Sequence, residues 1–197
     1  MTEKLLTNGT LALVAAGGNL PSSAGPPGKT LRAAIAMIAQ ANDVSVISVS
    51  QFWQTPAYPA GSGPDFVNAA LTLVSRLDAQ NLLRLLHRIE AELGRSRDAG
   101  RWAARGIDLD LIAFGDAVLP DPDTQAQWRG LAPERQARET PEQLILPHPR
   151  MQDRGFVLVP LAQVAPQWVH PVLDRSVAQL LADLPASARQ DIRPVTT

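Results

Sequence analysis

The spacing of hydrophobic residues predicts an alternation of strands and helices up to Gly115. Short apolar or β-branched runs are typical of buried strands, whereas apolar residues three and four positions apart are typical of an amphipathic helix. Strands are predicted at Leu11–Ala16, Val44–Trp53, Phe66–Ser75 and Ile107–Phe114, and helices at Lys29–Ala41 and from the N-cap candidate Asp78 to Gly94.

The predicted order β-α-β-β-α-β is that of the ferredoxin-like fold, an α+β arrangement with a mainly antiparallel sheet covered by helices. The last third of the chain departs from this order. Residues 121–143 are polar and contain three prolines, which predicts an inserted surface segment with a short helix. A strand is predicted at Phe156–Leu161 and a short helix at Ser176–Leu184. We therefore expect one domain over residues 1–197.

Composition excludes several classes of protein. The chain has 197 residues, of which 45% are hydrophobic and 19% charged, and its net charge is −1. These values exclude a highly charged disordered chain and argue against a general nucleic-acid binder or a protein held on an anionic membrane. No targeting or membrane-spanning segment is visible, so a cytoplasmic location is expected. Because there is no cysteine, disulfides, thiolate metal sites and cysteine nucleophiles are excluded.

The last strand of the predicted core carries two aspartates that suit a divalent metal ion. Asp108 and Asp110 are two positions apart, so their carboxylates lie on one face of a strand and repel each other unless a cation lies between them. Mg²⁺ prefers hard oxygen ligands and typically binds one or two carboxylates together with substrate phosphates. A solvated strand face is the alternative interpretation, and for this pattern alone it is the more common one.

An arginine-rich segment directly upstream favours the metal interpretation. Between Arg84 and Arg105, six arginines stand against three acidic residues, a local charge of +3 in a chain whose net charge is −1. Arg95 and Arg105 follow Gly94, which marks the start of a loop, so ion pairing along a helix surface explains them poorly. Guanidinium groups beside a metal-binding carboxylate pair suit a polyphosphate substrate.

Two further groups of residues suit a flat heterocycle and a phosphate. Phe66 and Asn68 are two positions apart on a predicted strand, which places an aromatic ring beside an amide that donates and accepts hydrogen bonds. A core position for Phe66 is the alternative. His148 lies between two prolines, so we expect it on an extended, exposed loop, where it contacts phosphate or transfers a proton. We interpret His87 and His170 as structural.

Taken together and in this order, several motifs resemble the 6-hydroxymethyl-7,8-dihydropterin pyrophosphokinase family of folate biosynthesis. The motifs extend over most of the chain and are GGN at residues 17–19, TPAYPAGSGPDFVNAAL, IEAELGRSR, RWAARGIDLDLIAFGD, LPHPRMQDRGFVLVPL and VAPQWVHP. The resemblance implies a ferredoxin-like core elaborated to a three-layer α/β/α domain. It also implies transfer of an intact diphosphate from ATP to the pterin hydroxymethyl oxygen, with release of AMP.

Matched positions in the family imply roles for individual residues. The catalytic residues implied are Arg95, Arg105, Asp108 and Asp110, with two Mg²⁺ ions held by Asp108 and Asp110; the ATP-binding residues are Glu90, Arg97, His148 and Arg154; the pterin-binding residues are Thr55, Pro56, Phe66, Asn68 and Phe156; and Trp102 closes the site. The partners expected are therefore ATP and the pterin, without nucleic acid or membrane, and the protein is expected to be a monomer.

The chain departs from the family pattern at three places. The loop Pro21–Gly28 is longer and richer in proline and glycine than the usual short turn, and RWAARGIDLD lacks the Gly-Pro and the Thr of the usual W-G-P-R-T-x-D-x-D. Residues 121–143 precede LPHP, where the family is usually much shorter. Three loops rich in proline, glycine or arginine correspond to loops that close over substrates in this family. Their sequences are PSSAGPPG, TPAYPAGSGP and RSRDAGRWAARG.

Two other functions are compatible with the predicted fold. An RNA-binding module of the RRM type stacks bases on strand aromatics. The chain has only four Phe and one Tyr, and its last predicted core strand carries paired aspartates, so this function is disfavoured. A regulatory domain that binds pterin or nucleotide without turnover is disfavoured by the intact Asp108, Asp110, Arg95 and His148.

Overall fold

A computed structural model describes residues 9–57, 63–94 and 106–195 of the chain. In this part of the chain the strands are β1 (Thr10–Gly18), β2 (Val44–Val49), β3 (Trp53–Thr55), β4 (Phe66–Ser75), β5 (Asp108–Phe114), β6 (Val169–His170), β7 (Arg175–Ser176) and β8 (Arg193–Pro194). The helices are α1 (Pro27–Gln40), α2 (Ala79–Glu92), α3 (Pro122–Arg129), α4 (Pro133–Arg138), α5 (Gly155–Val164) and α6 (Val177–Asp183), with short 3₁₀ turns at Met151–Asp153 and Ala186–Ala188.

The central sheet has six strands in the order β5-β1-β4-β3-β8, with β2 paired to the other half of β4. Every pairing is antiparallel. Strand β4 pairs with β1 on one side, and on the other side it pairs with β2 and β3 one after the other along its length. Strand β1 lies between β4 and β5. This is the split β-α-β arrangement repeated twice. The predicted ferredoxin-like α+β fold is therefore confirmed.

The chain builds three layers because each face of the sheet has its own hydrophobic cluster. On one face, Leu31, Ile38, Leu82 and Leu86 of α1 and α2 pack on alternate strand residues such as Leu71. On the other face lies a smaller cluster formed by α5, α6 and the strands: Leu13, Ala70, Ile112, Met151, Val157, Leu158, Leu161, Val177 and Leu180. None of the helices in the described residues is long and apolar enough to span a lipid bilayer.

The sequence pattern located α2 correctly because its ends carry local signals. The Asp78 side chain accepts a hydrogen bond from the backbone N–H of Asn81 at 2.7 Å, which satisfies one of the helix's first free donors. After the helix, Gly94 has a φ of 88°, a left-handed conformation that glycine adopts without steric cost. Both features confirm the predicted cap and stop.

The strand predicted at Val44–Trp53 is two strands, β2 and β3, separated at residues 50–52. The interruption lies at Ser50, whose backbone N–H donates to Ala70 O at 2.9 Å while its hydroxyl accepts from Ala70 N at 2.9 Å. The hydroxyl thus replaces a backbone carbonyl in the ladder. The β-branched residues end at Val49, but Phe52 and Trp53 continue the apolar pattern beyond Ser50 and Gln51, so the pattern predicted one strand.

The strand predicted at Phe156–Leu161 is wrong, because these residues form the first part of α5. An apolar run of this length does not distinguish a strand from a buried helix by its period. Proline is unfavourable inside a helix, so Pro160 argues against a helix in the sequence, yet it lies inside α5. Tertiary packing decides the outcome: Val157, Leu158 and Leu161 are fully buried at helical spacing against the sheet.

The segment 121–143 contains α3 and α4, and its ends meet at one place. Leu119 and Leu146 exchange both backbone hydrogen bonds, at 2.8 and 3.1 Å, so the chain leaves and returns at the same point. Its status as an insertion relative to the family remains a prediction, as do the domain bounds 1–197.

His170 is fully buried next to this segment. Its Nδ1 accepts hydrogen bonds from the backbone N–H groups of Val172 and Leu173, both at 3.2 Å, and its ring meets Trp168 edge-on at 5.9 Å. Burial in the first place, and the charge of Arg129 in the second, lower the pKa of His170 to about 4. The imidazole is therefore neutral in the folded protein, and its structural interpretation agrees with this packing.

We predict that this histidine makes folding stability depend on pH. An unfolded histidine titrates near pH 6.5, so the unfolded state binds a proton before the folded state does. The contribution is fully present above about pH 6.5 and is lost progressively as the pH falls from there to about 4. Chemical denaturation of the wild type and of His170→Asn should show a shallower loss of stability in the variant across this window. Equal slopes would contradict the prediction, and the difference at pH 8 measures the cost of the substitution itself.

Candidate active site

Four residues on neighbouring strands form one row across the sheet. Asp108 on β5 pairs with Gly17 on β1, Gly17 pairs with Asn68 on β4, and Asn68 pairs with Trp53 on β3. Since adjacent strands are about 4.8 Å apart, Asp108 and Asn68 lie roughly 10 Å from each other. Side chains in register point to the same face, so this row brings together two of the residue pairs predicted from the sequence.

The face that carries this row is the one covered by α5. Leu109 and Leu111 pack in the cluster under α1 and α2, so Asp108 and Asp110 face the opposite layer. Ala69 and Leu71 likewise pack under α1 and α2. Asn68 therefore faces α5 as well. The aspartate pair and the Phe66–Asn68 pair thus border one side of the sheet, as the predicted site requires.

The donor set of Asp108 and Asp110 fits a substrate-associated Mg²⁺ ion. Both carboxylates are half-buried, and they are the only two acidic positions on this end of β5. Among the described residues, no group of three or more His, Cys, Asp or Glu side chains could hold a metal ion alone. Two oxygen-donor side chains without further protein ligands suit Mg²⁺ that is completed by phosphates and water.

Glu90 of α2 is buried, at 1% exposure, and binds the strand between the two aspartates. Its Oε1 accepts a hydrogen bond from the backbone N–H of Leu109 at 2.7 Å. Strand β5 is at the edge of the sheet, so a backbone N–H on its outer side needs a partner from outside the ladder. The structure thus places Glu90 under β5, the strand that carries Asp108 and Asp110; its predicted contact with ATP remains untested.

His148 is tied to the same strand. Its backbone N–H donates to Ile112 O of β5 at 2.8 Å, and its Nδ1 accepts from the backbone N–H of Arg150 at 3.2 Å. With Nδ1 as acceptor, the proton of the neutral ring is on Nε2. The imidazole is partly buried, so the predicted exposure of this loop is wrong, because the loop packs on β5.

The pKa of His148 depends mainly on its burial and on two neighbouring arginines. Burial first, and then the charges of Arg154 and Arg150, lower the pKa of His148 to about 3, although Asp108 acts in the opposite direction. These interactions show that His148, Arg154 and Asp108 lie close enough to influence one another. His148 is therefore neutral at physiological pH and is a hydrogen-bond donor through Nε2.

Arg154 and Phe156 lie together at the first turn of α5. The Arg154 guanidinium carbon is 5.4 Å from the centroid of the Phe156 ring, within the range of a cation–π interaction. Phe156 is 40% exposed, unlike the apolar residues that follow it in the helix. The helix assignment therefore moves Phe156 from the predicted strand to a helix start, where its ring remains accessible.

Asn68 and Thr55 form a buried polar pair beside Phe66. The Asn68 side-chain N–H donates to Thr55 Oγ1 at 2.8 Å, and the two residues are 7% and 5% exposed. Thr55 pairs in register with Phe66, which is half-buried, and the neighbouring Pro56 is exposed. The predicted pterin-binding residues of β3 and β4 are thus adjacent in space.

Gly17 makes room for Asn68, which the sequence alone did not reveal. A Cβ atom at Gly17 would clash with Asn68 Oδ1. Asn19 was also missed: its side-chain amide donates to Pro64 O at 3.1 Å and connects the loop after β1 to the loop before β4. The GGN motif was the available signal, but its partners are about 45 residues away.

Four predicted site residues, Arg95, Arg97, Trp102 and Arg105, lie outside the described residues. Gly106, which precedes β5, lies close to the loop Pro21–Gly28, because a Cβ atom added at Gly106 would lie 3.2 Å from the Ser22 side chain. Their roles remain predictions.

The fold is shared with solved structures of larger proteins. The crystal structure of wild-type Plasmodium falciparum HPPK-DHPS matches with a TM-score of 0.60 and 14% identity over 88% of this chain and 44% of that chain. A structure of HPPK-DHPS in complex with substrates matches with a TM-score of 0.64 and 11% identity over 95% of this chain and 49% of that one. The chain spans about half the length of these proteins, and the likeness shows the fold.

Fold and site together define a ferredoxin-like α/β/α domain with paired carboxylates at one end of its sheet. The family model of 7,8-dihydro-6-hydroxymethylpterin-pyrophosphokinase (HPPK) matches residues 13–166. The 2-amino-4-hydroxy-6-hydroxymethyldihydropteridine pyrophosphokinase of Synechocystis is 36% identical over 93% of this chain and 80% of that protein. The Bacillus subtilis protein of the same name is 36% identical over 80% of this chain and 79% of its own length. The chain belongs to the HPPK family.

We predict that Gly17→Ala disturbs the site through Asn68. The added Cβ displaces the amide from its bond with Thr55, and overpacking of this kind costs about 1–3 kcal/mol of stability. Thermal unfolding measures the cost, and the Asn68 side-chain amide resonance reports the displacement. Gly28→Ala is the matched control, since a Cβ there meets nothing within 4 Å. Equal melting temperatures and an unmoved Asn68 resonance in both variants would contradict the prediction.

Proposed function

We propose that this chain transfers diphosphate from ATP to the hydroxymethyl group of 6-hydroxymethyl-7,8-dihydropterin, forming AMP and the pterin diphosphate in folate biosynthesis. The observation that carries the proposal is the in-register row that aligns Asp108 with Asn68 on the face of the sheet next to Phe156. In a member of the HPPK family, we take this row to support a metal and phosphate region at Asp108 beside a heterocycle region at Asn68. The two regions are two strand spacings apart, a distance that suits ATP phosphates at one region and the pterin at the other.

The proposed reaction exchanges one bond to phosphorus for another and releases a proton. The pterin hydroxymethyl oxygen loses its proton to solvent and bonds to the β-phosphorus of ATP, and the bond between the β-phosphorus and the oxygen of the departing AMP breaks. Asp108 and Asp110 would hold Mg²⁺, in the proposal two ions, and bound Mg²⁺ supplies stabilisation of charge on the phosphate oxygens. The two carboxylates would determine where the negative charge of the phosphates is compensated, and would in this way orient the phosphates.

The pterin is proposed to lie between aromatic residues from the two layers. Phe66 of β4 and Phe156 of α5 would contact its two faces, since both rings remain partly accessible. Asn68 would bind its edge, with an amide orientation set by Thr55, and Pro56 would line the entrance. Because Asn68 and Thr55 are already bonded, the edge-reading group is organised before the substrate arrives.

The nucleotide phosphates are proposed to contact His148 and Arg154, together with Arg95, Arg97 and Arg105. His148 is neutral with its proton on Nε2, so it would act as a hydrogen-bond donor to phosphate and not as a general base. Trp102 is proposed to close the site. Exclusion of water by such closure limits the hydrolysis of ATP.

Glu90 is proposed to support ATP binding from beneath the site. Its carboxylate holds the Leu109 amide at 2.7 Å and so fixes the strand segment between the two aspartates. Three expectations remain predictions: that the protein is a monomer, that it is cytoplasmic, and that it binds neither nucleic acid nor membrane.

The first prediction from this proposal concerns the nucleotide product. Purified protein with ATP, Mg²⁺ and 6-hydroxymethyl-7,8-dihydropterin should release AMP in proportion to the pterin consumed. Chromatographic separation of AMP, ADP and ATP measures the ratio. ADP as the nucleotide product would overturn the diphosphate transfer, and the absence of any pterin-dependent turnover would overturn the proposed function.

The second prediction concerns the carboxylate pair. Asp110→Ala should lower kcat at least about a hundredfold, because the metal-bound phosphates lose one of their two protein anchors. Asp116→Ala is the matched control: it removes an exposed carboxylate from the turn after the same strand and should retain wild-type turnover. Unchanged melting temperatures in both variants show that the fold is intact. Wild-type turnover by Asp110→Ala would contradict the metal role.

A further inference from the structure

Helix α3 lies in the segment 121–143, for which the family pattern offers no role, and its start is well defined. Asp121 caps the helix, since its Oδ1 accepts from the backbone N–H of Thr124 and its Oδ2 from the Thr124 hydroxyl, both at 2.8 Å. The closed base at Leu119 and Leu146 fixes the segment to the chain directly before Pro147. The segment is therefore an ordered excursion that returns next to His148.

Gln125 is the residue of α3 that reaches back to the site. It is fully buried, at 0% exposure, whereas most neighbours on the same helix are exposed. Its side-chain N–H donates to Pro147 O at 3.3 Å, and its side-chain oxygen accepts from Arg129 Nε at 3.4 Å. A buried amide with both ends engaged is oriented by its surroundings, and it orients them in turn.

The group that Gln125 binds is the peptide unit that leads into His148. The carbonyl of this unit belongs to Pro147 and is held by α3, while its N–H belongs to His148 and is held by Ile112 O of β5 at 2.8 Å. The same peptide plane is thus fixed at both ends, by the aspartate-bearing strand on one side and by the 121–143 segment on the other. With Nδ1 bound to the Arg150 amide, little freedom remains for the imidazole.

We propose that α3 positions His148 and that Gln125 is the positioning residue through which it does so. This inference rests on the proposed function, in which His148 contacts the phosphates of ATP. Gln125 does not touch the substrate; it restrains the peptide plane from which the imidazole projects. Its loss therefore affects the nucleotide side of the site and leaves the pterin side, built on β3 and β4, unaffected.

The test compares Gln125→Met with Gln127→Met. Methionine has nearly the length and volume of glutamine but neither donates nor accepts a strong hydrogen bond. Gln127 is exposed on the same helix and controls for the chemical change. For Gln125→Met we expect KM for ATP to rise roughly fivefold, as for the loss of one neutral hydrogen bond, with KM for the pterin within about twofold of wild type.

A second readout does not depend on turnover. In NMR spectra of the substrate-free protein, the His148 ring resonances should shift in Gln125→Met, while those of His87 keep their wild-type positions. The inference is overturned if neither KM for ATP nor the His148 resonances change. It is also overturned if both KM values rise together with a general loss of stability, which indicates packing alone.

The two proposals fail in different ways. A wild-type protein that forms no AMP refutes the proposed function, whatever Gln125 does. A wild-type protein that forms AMP, combined with a Gln125→Met variant that matches Gln127→Met in KM for ATP and in the His148 resonances, refutes only the positioning role.

Discussion

The antiparallel pairing of β1 with β4 on one side and β5 on the other is the constraint on which the site depends. Gly17 lies between Asn68 and Asp108 in this register, so the two halves of the site are spaced by the width of one strand. A slip of β4 and β5 by one residue would turn Asn68 and Asp108 toward α1 and α2 and bury a carboxylate in an apolar layer. The hydrophobic alternation of Ala69 with Leu71 and of Leu109 with Leu111 disfavours that slip.

Around this register, buried polar groups hold the backbone that carries the candidate site residues. Glu90 binds the Leu109 amide, and Gln125 and the Ile112 carbonyl hold the two ends of the Pro147–His148 peptide unit. The bond from Leu109 satisfies a backbone N–H on the outer side of the edge strand β5, and the bond from His148 joins the Pro147–His148 peptide unit to the same strand. The contacts that hold β5 at the edge of the sheet thus involve the same segments that carry the aspartates and the histidine.

Most elements of the fold follow from local patterns, whereas the two wrong strand predictions concern segments whose structure depends on contacts with distant residues. The Asp78 cap, Gly94 and the helical spacing of Leu82, Leu86 and Ile89 define α2 without help from the tertiary structure. The run at Phe156–Leu161 carries no period that separates helix from strand, and the break at Ser50 depends on a hydroxyl that bonds to a distant strand. Such contacts arise only when the sheet forms.

The order of residues along the strands is enough to show that Asp108 and Asp110 share a face, and likewise Phe66 and Asn68, because side chains alternate along a strand. The motifs, in their order along the chain, are enough to show the family. Three other features are visible only in the folded protein: both pairs face α5, Glu90 is buried under β5, and Gln125 reaches Pro147. These relations join residues far apart in the chain, and local spacing carries no information about contacts that the pairing of strands and the packing of layers create.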